Sequence, residues 1–273
     1  MTNADGYRRN VRRRRAGASF PLRMTGRALL GLVLLLVVGG SVGSAAGQDL
    51  AEAERGYDRL LTEYVDGEGL VDYAALADRP AGLDAYVQAL AQPGLLHEEQ
   101  PADQRLATLL NAYNAFTLKL IVDHYDEGRL RSITDLHGGK PWDRPDWTLS
   151  GQRLSLNQIE HELIRPVFAE PRIHWALVCA AYSCPPLRQE AYAADRLEQQ
   201  LADQERRVLL ADDPRFIRVD DGDRSARVTP LFDWYGQDFG DWRDYVNQRR
   251  PGPDLKIAGF LKYDWKLNDQ TAR

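Results

Sequence analysis

The chain has 273 residues, 44% hydrophobic and 27% charged, with a net charge of −5 and two cysteines, too few for a disulfide scaffold. Residues 1–47 hold eight arginines and one acid, which leaves 27 basic and 39 acidic residues in the remainder, a net of −12. A body this acidic excludes nucleic acid as a partner and leaves membrane contact to the N-terminal segment alone.

That segment reads as an address. A basic start precedes the apolar core ALLGLVLLLVV at residues 28–38, and small residues follow in GGSVGSAAG. This is the layout of a secretory signal, with Met24 as an alternative start, or of an uncleaved N-terminal anchor. Either way the working part, residues 48–273, is expected outside the cytoplasm, periplasmic or secreted, as a single domain. Lysine is scarce there, five in the whole chain against thirty arginines.

DLAEAERGYDRLLTEYV and PAGLDAYVQALAQ carry helical spacing. The strongest element is PADQRLATLLNAYNAFTLKLIVDHY, opened by Pro101, where Leu106, Leu109, Leu110, Tyr113, Phe116, Leu120 and Ile121 form one wide apolar face. Such a helix is central and largely buried. Asn114 sits between Ile121 and Leu118, and Asn111 just beyond Leu118. Buried asparagines need partners. These two are expected either to orient an imidazole or bind a substrate carbonyl, or to lock two helices together.

WTLSGQRLSL reads as a hairpin about Ser150 and Gly151, and SLNQIEHELIR as a helix opened by a capping box, Ser155 with Gln158. At 100° per residue, Glu160 falls about 40° from Leu156, inside the apolar stripe, and His161 about 140°, on its border. A buried carboxylate requires a partner. Glu160 is expected to orient a catalytic histidine or to pair with an arginine.

RIHWALVCAAYSCPPL, residues 172–187, holds both cysteines. Its unbroken apolar run predicts a buried strand over residues 173–180, with His174 and Cys179 on opposite faces. Cys184 lies past it in a turn fixed by Pro185 and Pro186. Two readings stay open there: a reactive thiol with lowered pKa, or a disulfide with Cys179. A His174–Cys184 dyad needs the strand to end early. A straight one carries the chain about 20 Å away, and the four steps to Cys184 recover about 13 Å at most.

AADRLEQQLADQERRVLLA is an amphipathic helix, RFIRVDDGDRSARVTP a hairpin, LFDWYGQDFG and WRDYVNQRRP are helical, and KIAGFLKYDWKLND ends in extended structure. Helices dominate the first half and hairpins the second, so the fold class is α+β, with an antiparallel sheet packed on the central helix. No phosphate-binding glycine loop or GxSxG elbow occurs, and His161, His174, Glu160 and Cys184 lack the short-range pairing of zinc sites. No metal or cofactor is expected.

NAYNAF, SLNQIEHELIR, RIHWALVCAAYSCPPL with the following EAY, and the terminal YDWKLN together resemble the family known as domain of unknown function 547. The resemblance marks Asn111, Asn114, Glu160, His161, His174 and Cys184 as its polar signature. A looser likeness to papain-like and transglutaminase-like folds implies a central helix on an antiparallel sheet, although asparagine stands here where those folds place a nucleophilic cysteine.

Two functions follow as expectations. One is a cysteine-dependent hydrolase or transferase acting on an amide or thioester-like bond of a small-molecule or peptide-like substrate. Cys184 would be nucleophile, His174 or His161 base, Glu160 orienter and Asn114 a carbonyl or imidazole contact. The other is a non-catalytic, envelope-associated binding module with Cys179 and Cys184 oxidised.

Overall fold

The computed structural model describes residues 43–126, 129–211, 213–220, 222 and 224–272. The apolar core of the expected leader lies outside the described residues. No helix among them is long and apolar enough to cross a membrane.

Helix α1 (Gly43–Tyr64) is followed by α2 (Tyr73–Asp78), capped by the Asp72 side chain, and by α3 (Ala81–Leu90). The central helix α4 (Ala102–Val122) starts at Pro101 and is buried on every side from Leu106 to Leu118. Its neighbours are α2, α3 and the helical segment after residue 155. Phe116 also stacks on Trp147, with ring centroids 4.9 Å apart.

Strands β1 (Trp147–Leu149) and β2 (Gln152–Leu154) form the expected hairpin, with Leu149 facing Gln152. Ser150 and Gly151 both take positive φ, 52° and 79°, as a tight two-residue hairpin turn requires. The Ser150 N–H donates to Leu90 O at 2.9 Å and ties the hairpin to the end of α3.

The capping box forms as read. Ser155 Oγ accepts from Gln158 N, and Gln158 Oε1 from Ser155 N, both at 3.1 Å. The helix it opens is not uniform. α5 (Leu156–Gln158) passes into a π-helical segment (Ile159–Ile164) and then α6 (Arg165–Phe168), and Arg165 N–H donates to Glu160 O five residues back. Pro166, one step on, has no N–H to give.

Residues 173–180 are not a strand. Ile173–Ala176 is one helical turn, α7, and the chain is extended only after it, until Ala180 turns with φ 59°. An unbroken apolar run marks burial but does not distinguish a strand from a buried helical turn. All four residues of α7 are indeed buried. The alternation of faces expected for His174 and Cys179 therefore does not apply.

After α8 (Leu197–Leu209), β3 (Ile217–Val219) pairs antiparallel with β4 (Ser225–Val228). Then come α9 (Leu231–Tyr235), α10 (Trp242–Arg249) and β5 (Lys256–Phe260). β5 lies parallel to β4, with an irregularity at Ala226/Arg227. The fold is thus α+β, as expected. The three-stranded sheet is mixed and not purely antiparallel, and helices are the main neighbours of α4, so a papain-like layout is not shown.

The last residues close the molecule on itself. Val71 N donates to Asn268 O at 2.8 Å, Gln270 N to Val71 O at 3.0 Å, and Asn268 N to Ala180 O at 3.0 Å. Inside this seam the Tyr73 hydroxyl donates to Asn268 Oδ1 at 2.8 Å.

Candidate functional site

Cys179 and Cys184 are joined in a disulfide, with Cα atoms 6.2 Å apart. The turn between them is built to hold it. Ala180 supplies the left-handed step, Cys184 N donates to Ala181 O at 2.9 Å, and Tyr182 N donates to Lys266 O at 2.7 Å. Pro186 presses on Gly69, where an added Cβ would lie 2.5 Å from Pro186 Cα. The buried Tyr263 hydroxyl lies 3.2 Å from Cys184 Sγ and 3.3 Å from Cys179 Sγ. Burial pushes that phenol far above its ordinary range, so it stays protonated and donates. Cys184 is 4% exposed. Of the two readings left open for Cys184, the structure holds the disulfide, and a sulfur so bonded carries no thiolate.

His174 projects from α7 into a chain of polar groups. Its Nε2 is 2.8 Å from Asp238 Oδ2. Arg165 grips the same carboxylate with two bonds, Nε at 2.6 Å and Nη2 at 2.9 Å. Tyr235 stacks on the imidazole at 4.0 Å. Burial lowers the His174 pKa against the pull of Asp238, so the ring is neutral and donates from Nε2. Burial alone would raise the Asp238 pKa, but the hydrogen bonds from His174 and Arg165 outweigh it and hold the carboxyl well below its ordinary range.

Glu160 and His161 lie side by side within ion-pair distance but are not hydrogen-bonded to each other. His161 Nδ1 lies 3.8 Å from Glu160 Oε1 and instead accepts from Arg165 Nη1 at 3.0 Å. Glu160 is buried as its position on the helix required, 3% exposed, yet Oε1 has no hydrogen-bond partner. Tyr113 of α4 faces the same carboxylate. Burial first, then the nearness of Glu160, pushes the Tyr113 hydroxyl well above its ordinary range.

Both asparagines are locks between the helix and backbone. Asn114 Nδ2 donates to Ala176 O at 3.0 Å, and its Oδ1 accepts from Val178 N at 2.9 Å. Asn111 does the same with Tyr192, donating to its carbonyl and accepting from its N–H, each at 2.8 Å. One donor and the acceptor oxygen of each amide are thus committed to backbone. Of the six sequence-predicted residues, Glu160, His161 and His174 gather about Arg165 and Asp238, and Cys184 joins Cys179 under Tyr263.

Sequence reasoning missed Arg165, Asp238 and Tyr263. Arg165 stands four residues after His161, a spacing that places both on one helix face and could have revealed it. Asp238 is separated from His174 by 64 residues and left no local signal. Among the described residues, no group of three His, Cys, Asp or Glu could hold a metal ion.

On its outer side Tyr263 borders a groove of about 770 Å³, which also takes in Tyr182, Ser183 and Trp265. The fold and this arrangement define an α+β domain with a disulfide-closed loop and a histidine–aspartate–arginine chain that starts from a buried imidazole. Residues 97–209, which contain all six sequence-predicted positions, match the family described as "Protein of unknown function, DUF547". The resemblance drawn from the motifs is thereby shown over that segment. No curated protein and no solved structure matches the chain.

Proposed function

We propose that this chain is a non-catalytic, extracytoplasmic binding module whose polar signature serves to hold a rigid loop. The observation that carries the reading is the Cys179–Cys184 bridge capped by the Tyr263 hydroxyl. Disulfides persist in oxidising compartments, which accords with export behind the N-terminal segment. By chain entropy a loop this short contributes about 2 kcal/mol. Asn111 and Asn114 fit the same role, because they fix the backbone on either side of the loop. Intact mass spectrometry of the protein purified without reductant tests this. The mass is expected to be two hydrogens below that of the reduced protein, with no alkylation by iodoacetamide until the bridge is reduced. Stoichiometric alkylation of Cys184 beforehand would overturn the reading.

One observation favours the cysteine-dependent hydrolase as a second reading: the buried, unpartnered Oε1 of Glu160 in a cluster with two histidines. Buried acids grouped with histidines concentrate at functional sites. On that reading the disulfide is a resting form: a dithiol reductant breaks the S–S bond by exchange, supplies two electrons and two protons so that Cys179 and Cys184 both become thiols, and is itself oxidised to a disulfide. Reduced protein is then expected to cleave a chromogenic thioester or amide, and Cys184→Ser to lose that activity. Equal rates for the two proteins would remove the reading.

A further inference from the structure

We infer that the groove beside the disulfide loop binds a small polyanion, a ligand bearing two or more carboxylate or phosphate groups; this deepens the binding-module reading and rests on it. The body of the protein is strongly acidic, yet the groove walls carry Arg131, Arg215, Arg218, Lys262 and Lys266 against two acids, Asp135 and Asp264. Two of the five lysines in the chain stand in this one place.

The acids are already in use. Asp135 Oδ2 accepts from the backbone N–H groups of Arg131 and Ser132, closing a capping box. Asp264 Oδ1 accepts from Lys266 N at 3.1 Å. Among the described residues, Arg131, Arg218 and Lys262 make no ion pair, and all three side chains belong to exposed residues. Arg215 is held by Asp213, and with Lys266 it lies against the Tyr182 ring, at 5.4 Å and 4.1 Å. This cationic floor is therefore ordered before any ligand arrives, which reduces the entropy lost on binding.

The cations come from three separate segments, near residues 131, 215–218 and 262–266, and line a groove of about 770 Å³, which has room for a ligand with more than one anionic group. Arginine forks suit carboxylate and phosphate alike. The volume falls in the range of small-molecule sites, about 300–1,000 Å³. A long polyanion would extend beyond the groove over a body of net charge −12 and be repelled, which restricts the ligand to a short one.

Titration calorimetry on the full, oxidised chain, with the Trp265 signal as a second readout, tests the inference. The probes are citrate and inorganic tripolyphosphate, with maltotriose as a neutral control. Saturable binding of at least one anion with a dissociation constant below roughly 1 mM is expected at low salt, weakening as salt is raised. Arg131→Ala with Lys262→Ala should weaken it at least about tenfold, whereas the exchange Arg131→Lys with Lys262→Arg should retain most of it. Which of the two anions binds more tightly identifies carboxylate or phosphate as the natural group. No binding of either anion at about 10 mM, or equal binding by the alanine pair, overturns the inference. An oxidised bridge with no anion bound would sink the groove assignment alone. A free, alkylated Cys184 with anion binding intact would uphold the groove and sink the structural disulfide.

Discussion

Asn114→Leu is expected to cost about 3–5 kcal/mol of folding stability. The substitution leaves Ala176 O and Val178 N without their partners in the protein interior, and each orphaned buried group costs about 1–3 kcal/mol. For a domain of this size that lowers the thermal midpoint by about 6–20 °C. Asn114→Asp keeps the acceptor for Val178 N but turns an unpaired carboxylate onto Ala176 O in the interior, so at neutral pH its midpoint should fall at least as far as that of the leucine variant. Thermal unfolding followed by circular dichroism checks both. A leucine variant within about 2 °C of the parent would show that the amide is not a lock, and would return Asn114 to the groups available for binding.

Asp238→Asn should be the second most costly change, because it breaks the charge pairing with Arg165, whose side chain is only 12% exposed. Removing one partner of a buried pair costs about 3–5 kcal/mol. Asp238 itself keeps a quarter of its side chain in water, which reduces the expected loss to about 2–3 kcal/mol. The pH dependence carries a sharper signature. His174 has a folded pKa below its unfolded value, so its contribution is complete above about pH 6.5 and is lost as pH falls through the folded pKa. Asp238 is also depressed, so its contribution is complete above about pH 4 and is lost as pH falls further. Both make the parent less stable in acid, in two successive windows. His174→Gln should flatten the upper window and Asp238→Asn the lower one in a plot of midpoint against pH. If His174→Gln leaves the interval from about pH 7 to about pH 5 unchanged, the imidazole is not held neutral by burial.

What the sequence disclosed was mostly local. The Ser155–Gln158 capping box, the Ser150–Gly151 turn and the central helix depend on neighbours within four residues, and each formed as read. Glu160 is buried because its helical angle put it there, and the π-helical winding begins only at Ile159, too late to rotate it away. The hydrogen-bond partner of His161 was not legible for a long-range reason. His161 is engaged by Arg165, and Arg165 is aimed by Asp238, 73 residues downstream. The strand expected at residues 173–180 failed similarly. Asn114, 64 residues upstream of Val178, pins the chain where the helical turn ends and extended backbone begins. The disulfide was legible as one of two readings. Its phenolic cap was not, since Tyr263 approaches from a segment 79 residues away.

The seam made by residues 268–270 bears on what can fold independently. The stretch shared with the family, residues 97–209, takes its backbone partner for Ala180 from Asn268, the cover over its sulfurs from Tyr263, and the counter-ion for its imidazole from Asp238. A fragment trimmed to those limits would shed all three at once and expose Trp175 where Phe232 and Phe239 now cover it. The smallest autonomous piece is therefore longer than the recognisable one: its ends must include both Val71 and Gln270, the two residues that clasp each other across most of the polypeptide.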